Sequence, residues 1–128
     1  MLALSADGTL LAAGGRDGGI DLIDTSVRLP AGPRAKGHKG GVEDLDFDPD
    51  GKMLATVGDD GLLQLWPIDS GLIGNSRIVA RFDDVVWGVR FDPTGSTIAT
   101  AAEDGTVRLW DAAANSPARA PLIDRTGD

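Results

Sequence analysis

The chain has 128 residues, 12 basic and 20 acidic side chains and a formal net charge of −8; that balance argues against nucleic acid and anionic membranes as partners. With no cysteine and one histidine, disulfides and thiolate chemistry are excluded and a zinc site lacks ligands. Hydrophobic residues make up 41% of the chain, enough for a packed core, but no apolar run is long enough for a membrane-spanning helix. The start, "MLALSADG", has neither the basic region nor the apolar core of a signal peptide. A cytoplasmic location is the expectation.

Alternation and turn residues predict short strands throughout and no helix. The first runs on from Leu2 and reads as clipped; Leu10 to Gly14, Gly19 to Ile23 and Pro33 to Lys36 follow. A loop with Arg34, Lys36, His38 and Lys39 comes next and reads as a solvated connection. Val42 to Phe47 is a strand, and "DPDG" (Asp48 to Gly51) is a turn with Pro49 preset for its first central position. Lys52 to Val57 follows, with Met53 and Ala55 on one face and Leu54 and Thr56 on the other. "DDG" (Asp59 to Gly61) is a hairpin turn into Leu62 to Trp66, and a weaker strand lies near Ile78 to Phe82. The last group is Val86 to Phe91, Thr97 to Ala101, Thr106 to Trp110 and a strand near Pro121 to Asp124.

These elements are one pattern written three times. Gly8, Gly51 and Gly95 are spaced by 43 and 44 residues, and so are Gly18, Gly61 and Gly105. A period of about 40–45 residues with four short strands per unit marks a propeller blade. The expected fold is all-β: three four-stranded antiparallel blades over residues 1–41, 42–85 and 86–128. A blade cannot bury both sheet faces alone, so three blades form an open arc. Completion is expected from further blades in cis or from a second copy, two copies giving six blades.

The third unit ends "EDGTVRLWD" (Glu103 to Asp111), and the second runs "GHKGGVEDLDFDPDGKMLATVGDDGLLQLWP" from Gly37 to Pro67. The chain resembles the WD40-repeat family in these phrases, including the Gly-His opening and the Trp-Asp ending. The resemblance implies a stabilising network of a His, a hydroxyl, the turn Asp and the Trp. In the second unit it supplies His38, Asp60 and Trp66, with Gly58 where the hydroxyl is expected. In the third it supplies Asp104 and Trp110, with Phe82 for the His and Ala102 for the hydroxyl. The first offers only Asp17, with Gly15 and Ile23 in the other places. Pro67 replaces the Asp of the pair and removes a donor at the strand end.

Chemistry finds little material. "DFDPDG" (Asp46 to Gly51) opens like a calcium loop, but Val57 stands where a bidentate Glu is needed. "GGRDGG" (Gly14 to Gly19) joins two strands and leads into no helix, so it cannot cradle phosphate as a P-loop does. No catalytic residue, metal or cofactor is expected. The resemblance implies a non-catalytic scaffold that binds protein or peptide through rim loops. The candidate rim residues are Glu43, Asp44, Asp59, Asp83, Asp84, Trp87 and Glu103, an acidic set suited to a basic partner. Trp87 either packs between blades or stands exposed as an anchor. Nine Arg against three Lys, with abundant Ala and Gly, resembles a GC-rich bacterium. The alternative reading is therefore a fragment of the sensor or assembly domain of a larger bacterial protein, with a kinase, nucleotidase or protease.

Overall fold

The computed structural model describes residues 1–113 and 124–126. Among the described residues there are strands and turns and no helix. The first sheet holds β1 (Leu2–Leu4), β2 (Leu10–Gly14) and β3 (Gly19–Asp24), with β4 (Leu29–Pro30) and β5 (Ala35–Lys36) both paired to β3. The second runs β6 (Val42–Phe47), β7 (Met53–Gly58), β8 (Leu62–Asp69) and β10 (Arg77–Arg81), with β9 (Leu72–Ile73) also on β8. The third is β11 (Val86–Phe91), β12 (Thr97–Ala102), β13 (Thr106–Asp111) and β14 (Asp124–Thr126). Every pairing is antiparallel, and each sheet adds its strands outward in chain order.

The first turn of each sheet is fixed by an aspartate. Asp7 accepts from the Thr9 amide, Asp48 from the amides of Lys52 and Met53, and Asp92 from those of Ser96 and Thr97. A short carboxylate that binds its own backbone a few residues on closes such turns without tertiary support.

Packing follows from alternation. On β7, Leu54 and Thr56 face the first sheet while Ala55 and Val57 face the third. One core joins Ala12, Ile20 and Leu22 of the first sheet to Val42, Leu45, Phe47, Leu54 and Trp66 of the second. The other joins Ala55, Val57, Leu63 and Leu65 of the second to Val86, Val89, Ile98 and Trp110 of the third. The second sheet is thus covered on both faces. The outer face of the first sheet leaves Leu2 and Leu4 exposed, and that of the third leaves Trp87 and Val107 exposed.

Three details differ from the sequence reading. The fourth-strand place of the first sheet is shared by β4 and β5, and β9 adds a further short strand, because these two-residue pieces carry no alternation to read. Strand β8 also runs through Pro67 to Asp69, with Pro67 opposite Met53. Pro67 is tolerated because its nitrogen lies on the side where its own carbonyl accepts from Gly74, beyond the end of β10. In the third unit, the strand expected near Pro121 to Asp124 is described only as β14; residues 121–123 lie outside the described residues.

Candidate functional site: the acidic rim and the network beneath it

The loop carrying His38 is seated by the turn between β2 and β3, where the Gly18 carbonyl accepts from the amides of Gly37 and His38. The same device recurs one unit on, with the Gly61 carbonyl accepting from the Phe82 amide. Gly61 has φ +75°, and a Cβ there would lie 2.4 Å from the Phe82 carbonyl oxygen. Conformation and space both require glycine at this point.

His38 is fully enclosed. Its Nδ1 meets Asp60 Oδ1 at 2.8 Å and its Nε2 meets Thr56 Oγ1 at 2.7 Å. Trp66 Nε1 donates to the same Thr56 oxygen at 2.9 Å. A carboxylate only accepts, so Nδ1–H donates to Asp60; the Thr56 hydroxyl then donates to Nε2 and accepts from the indole. Asp60 also accepts from the amides of Lys39 and Leu62, which pins the turn to the loop.

Thr56 supplies the hydroxyl, two residues before the expected place at Gly58. A Cβ at Gly58 would come within 2.9 Å of the His38 ring, so Gly58 is the floor on which the imidazole lies. The recurrence of threonine at 56 and 100, one repeat apart, was the available signal.

In the third sheet Thr100, not position 102, takes the indole proton of Trp110, at 2.9 Å. Phe82 replaces the histidine and meets Trp110 edge to face, with centroids 5.7 Å apart, while the Arg108 guanidinium lies 5.1 Å over the Phe82 ring. Here aromatic contacts stand in for the polar relay. Asp104 accepts from the amide and hydroxyl of Thr106, which holds its carboxyl below the usual range. In the first sheet Asp17 accepts from the Gly19 amide and pairs with Arg34, and its pKa is lowered to about 2, chiefly by that guanidinium. Asp17, Asp60 and Asp104 therefore share one contact, the amide two residues on.

The rim lies above this network. The β6–β7 register skips at Glu43 and the β11–β12 register skips at Trp87. A bulge re-aims the extra side chain out of the pleat, so both residues leave their sheets at the same place. Trp87 is 56% exposed, which settles its position on the open side. Glu43 is half-buried; Asp59, Asp83, Asp84 and Glu103 are exposed. The Glu43 pKa is raised, first by a hydrogen bond shared with Asp59, then by partial burial and by the charges of Asp59 and Glu103, with Arg16 opposing.

Asp44 is not on this surface. It is 5% exposed and points into the seam between the second and third sheets, accepting from the Val89 amide at 3.0 Å and from Arg90 at 2.6 Å. Asp46 beside it accepts from the Phe91 amide, and burial raises its pKa. Asp44 is thus withdrawn from any outside partner. Among the described residues no three His, Asp or Glu side chains gather as a metal-binding group, and no helix is long and apolar enough to cross a membrane.

Small antiparallel sheets stacked face to face, with bulges and hairpin turns gathered on one rim, define a partial β-propeller. The chain belongs to the WD40 family: residues 33–67 and 77–111 each match the WD domain, G-beta repeat. It is similar to the ribosome biogenesis protein ERB1 of Yarrowia lipolytica, 47% identical over 49 residues, which cover 38% of this chain and 6% of the relative. It is also similar to SEC12-like protein 1 of Arabidopsis thaliana, 34% identical over 70 residues, 55% of this chain and 17% of the relative. A third is actin-interacting protein 1 of Drosophila melanogaster, 39% identical over 67 residues, 52% of this chain and 11% of the relative. The matched segments span between 6% and 17% of these relatives' length. The three come from a yeast, a plant and a fly, and lend no support to a bacterial parent. WD40 repeats generally serve as protein-interaction scaffolds.

Proposed function

We propose that this chain is a protein-interaction scaffold whose rim holds a basic segment of a protein partner. The observation that carries the reading is the grouping of Glu43, Asp59 and Glu103, close enough to raise the Glu43 pKa. Carboxylates that repel one another gain when a cation arrives between them. Trp87, exposed at the equivalent bulge, offers a face for a guanidinium or an apolar side chain. The backbone beneath is fixed by the Asp60–His38–Thr56–Trp66 relay, so little ordering is lost on binding.

The test is binding of fluorescent Arg- and Lys-containing peptides, followed by anisotropy. Reversing Glu43, Asp59 and Glu103 to lysine is expected to abolish binding; unchanged affinity would remove the rim assignment. A cation binds the ionised form of Glu43, whose pKa is raised. Affinity therefore falls as pH drops through that raised range and is full above it. A second reading, that the chain works as part of a longer protein, is supported by the small share of each relative that it spans.

A further inference from the structure

Of the chain's five Asp-Gly pairs, we infer that one, Asp50-Gly51, is a site of self-modification that converts to isoaspartate without an enzyme, and that the fold spares the other four. The others are Asp7-Gly8, Asp17-Gly18, Asp60-Gly61 and Asp104-Gly105. A glycine after aspartate leaves the next backbone nitrogen unscreened by a side chain, so it can reach the carboxyl carbon. All five pairs hold the same place in a turn. Each glycine amide donates to the carbonyl three residues back, which belongs to Ser5, Gly15, Asp48, Gly58 or Ala102. The attacking nitrogens are therefore engaged alike, and the carboxyl group decides.

Four of the carboxylates are held. Asp7 accepts from the amide and hydroxyl of Thr9 and from the Ser5 hydroxyl. Asp17 accepts from the Gly19 amide and Arg34, Asp60 from His38 and the amides of Lys39 and Leu62, and Asp104 from Thr106. Asp50 is exposed, and among the described residues its carboxylate accepts no hydrogen bond. The cause is its neighbour. The Lys52 amide stands two residues after Asp50, where the Thr9 amide serves Asp7, but it donates to Asp48 instead. In the first turn Ser5 has the place of Asp48; its hydroxyl oxygen accepts from the Leu10 amide and leaves that of Thr9 to Asp7.

Ring closure needs a protonated carboxyl that is free to turn. Hydrogen bonds fix the direction of Asp7, Asp17 and Asp104 and hold them below the usual carboxylate range. At Asp50 the Gly51 nitrogen bonds to Cγ; its proton and the carboxyl hydroxyl leave as water, and a succinimide forms. Water then adds at the α-carbonyl of the ring and breaks that carbon's bond to the Gly51 nitrogen. The main chain now runs through Cβ and Cγ, longer by a methylene, and the α-carboxylate is free. Nothing is oxidised or reduced, and water is the only co-reactant. The turn borders a hollow of about 310 Å³ lined by Ser5, Ala6, Asp7, Pro49, Asp50 and Gly51, which gives the ring room and water access.

The experiment is incubation of the whole folded chain at neutral pH over weeks. Samples are digested and read by electron-transfer dissociation, which tells isoaspartate from aspartate at each position. Conversion is expected at Asp50 well before any other Asp-Gly pair. In urea sufficient to unfold the chain, all five are expected to convert at similar rates, so that the lead of Asp50 belongs to the fold. Asp48→Ser, checked for strand content by circular dichroism, returns the Lys52 amide to Asp50 and is expected to slow its conversion severalfold. Should that variant unfold, the folded and urea series decide between them. The turn lies at the other end of β7 from Asp59, so the mapping stands whether or not the rim binds peptides. Earlier conversion at a held aspartate, equal conversion at all five in the folded chain, none at Asp50, the same lead for Asp50 in urea, or unchanged conversion in a folded Asp48→Ser chain would each overturn the proposal.

Discussion

A single hydroxyl, that of Thr56, satisfies both the Trp66 indole and the His38 imidazole. Replacing it with valine keeps the shape and strands two buried groups, each costing about 1–3 kcal/mol. Thr56→Val is expected to destabilise by about 2–4 kcal/mol in urea unfolding. Thr100→Val strands only the Trp110 indole and is expected to cost about 1–2 kcal/mol; equal losses would mean that His38 draws nothing from Thr56. The residue types of the relay were legible in the sequence, and the oxygen's position was not. A hydroxyl in mid-strand reads as one more β-former, and the family pattern carried onto this chain puts the hydroxyl's place at Gly58. What decides is the third dimension: the imidazole lies across the strand, and only a residue without a side chain can sit under it.

At the scale of the strand, the bulges and the seam divide the acidic residues of β6 between two tasks. Glu43 is turned out and Asp44 turned in, though the two are adjacent in the chain. In the sequence both read as acidic residues of one rim; the skip in register at Glu43, which turns one out of the pleat and leaves the other in the seam, has no mark in residue type. Asp44→Ala leaves the buried Val89 amide without an acceptor and takes the carboxylate partner from Arg90. The expected loss is about 1–3 kcal/mol in thermal unfolding, with peptide binding at the rim retained. A variant that melts normally but loses binding would return Asp44 to the rim. The turns were easier to read: Asp-Gly at each hairpin names its own geometry, whereas β4 and β9, at two residues each, carry no pattern at all.

For the molecule as a whole, stability is expected to run unevenly along the arc, since a repeat protein is a row of sheets joined by nearest-neighbour seams. Among the described residues the second sheet has a neighbour on each face and the first and third have one. Hydrogen exchange is therefore expected to be slowest in β7 and β8 and fastest in β1, a gradient that mass spectrometry of peptide fragments reads directly. Uniform exchange would show one cooperative block. The repeat, its period and its all-β character were plain in the sequence because they depend on spacing alone.

The placement of the three tryptophans has an optical consequence. Trp66 and Trp110 are 5% and 6% exposed with their indole protons bound to threonine, and Trp87 is 56% exposed. Acrylamide is expected to quench one emitter readily and spare two. Occupation of the rim changes the red-shifted emission of Trp87 alone, while unfolding shifts the blue emission of the other pair. Binding and melting can thus be followed in one cuvette, at two wavelengths, without a label.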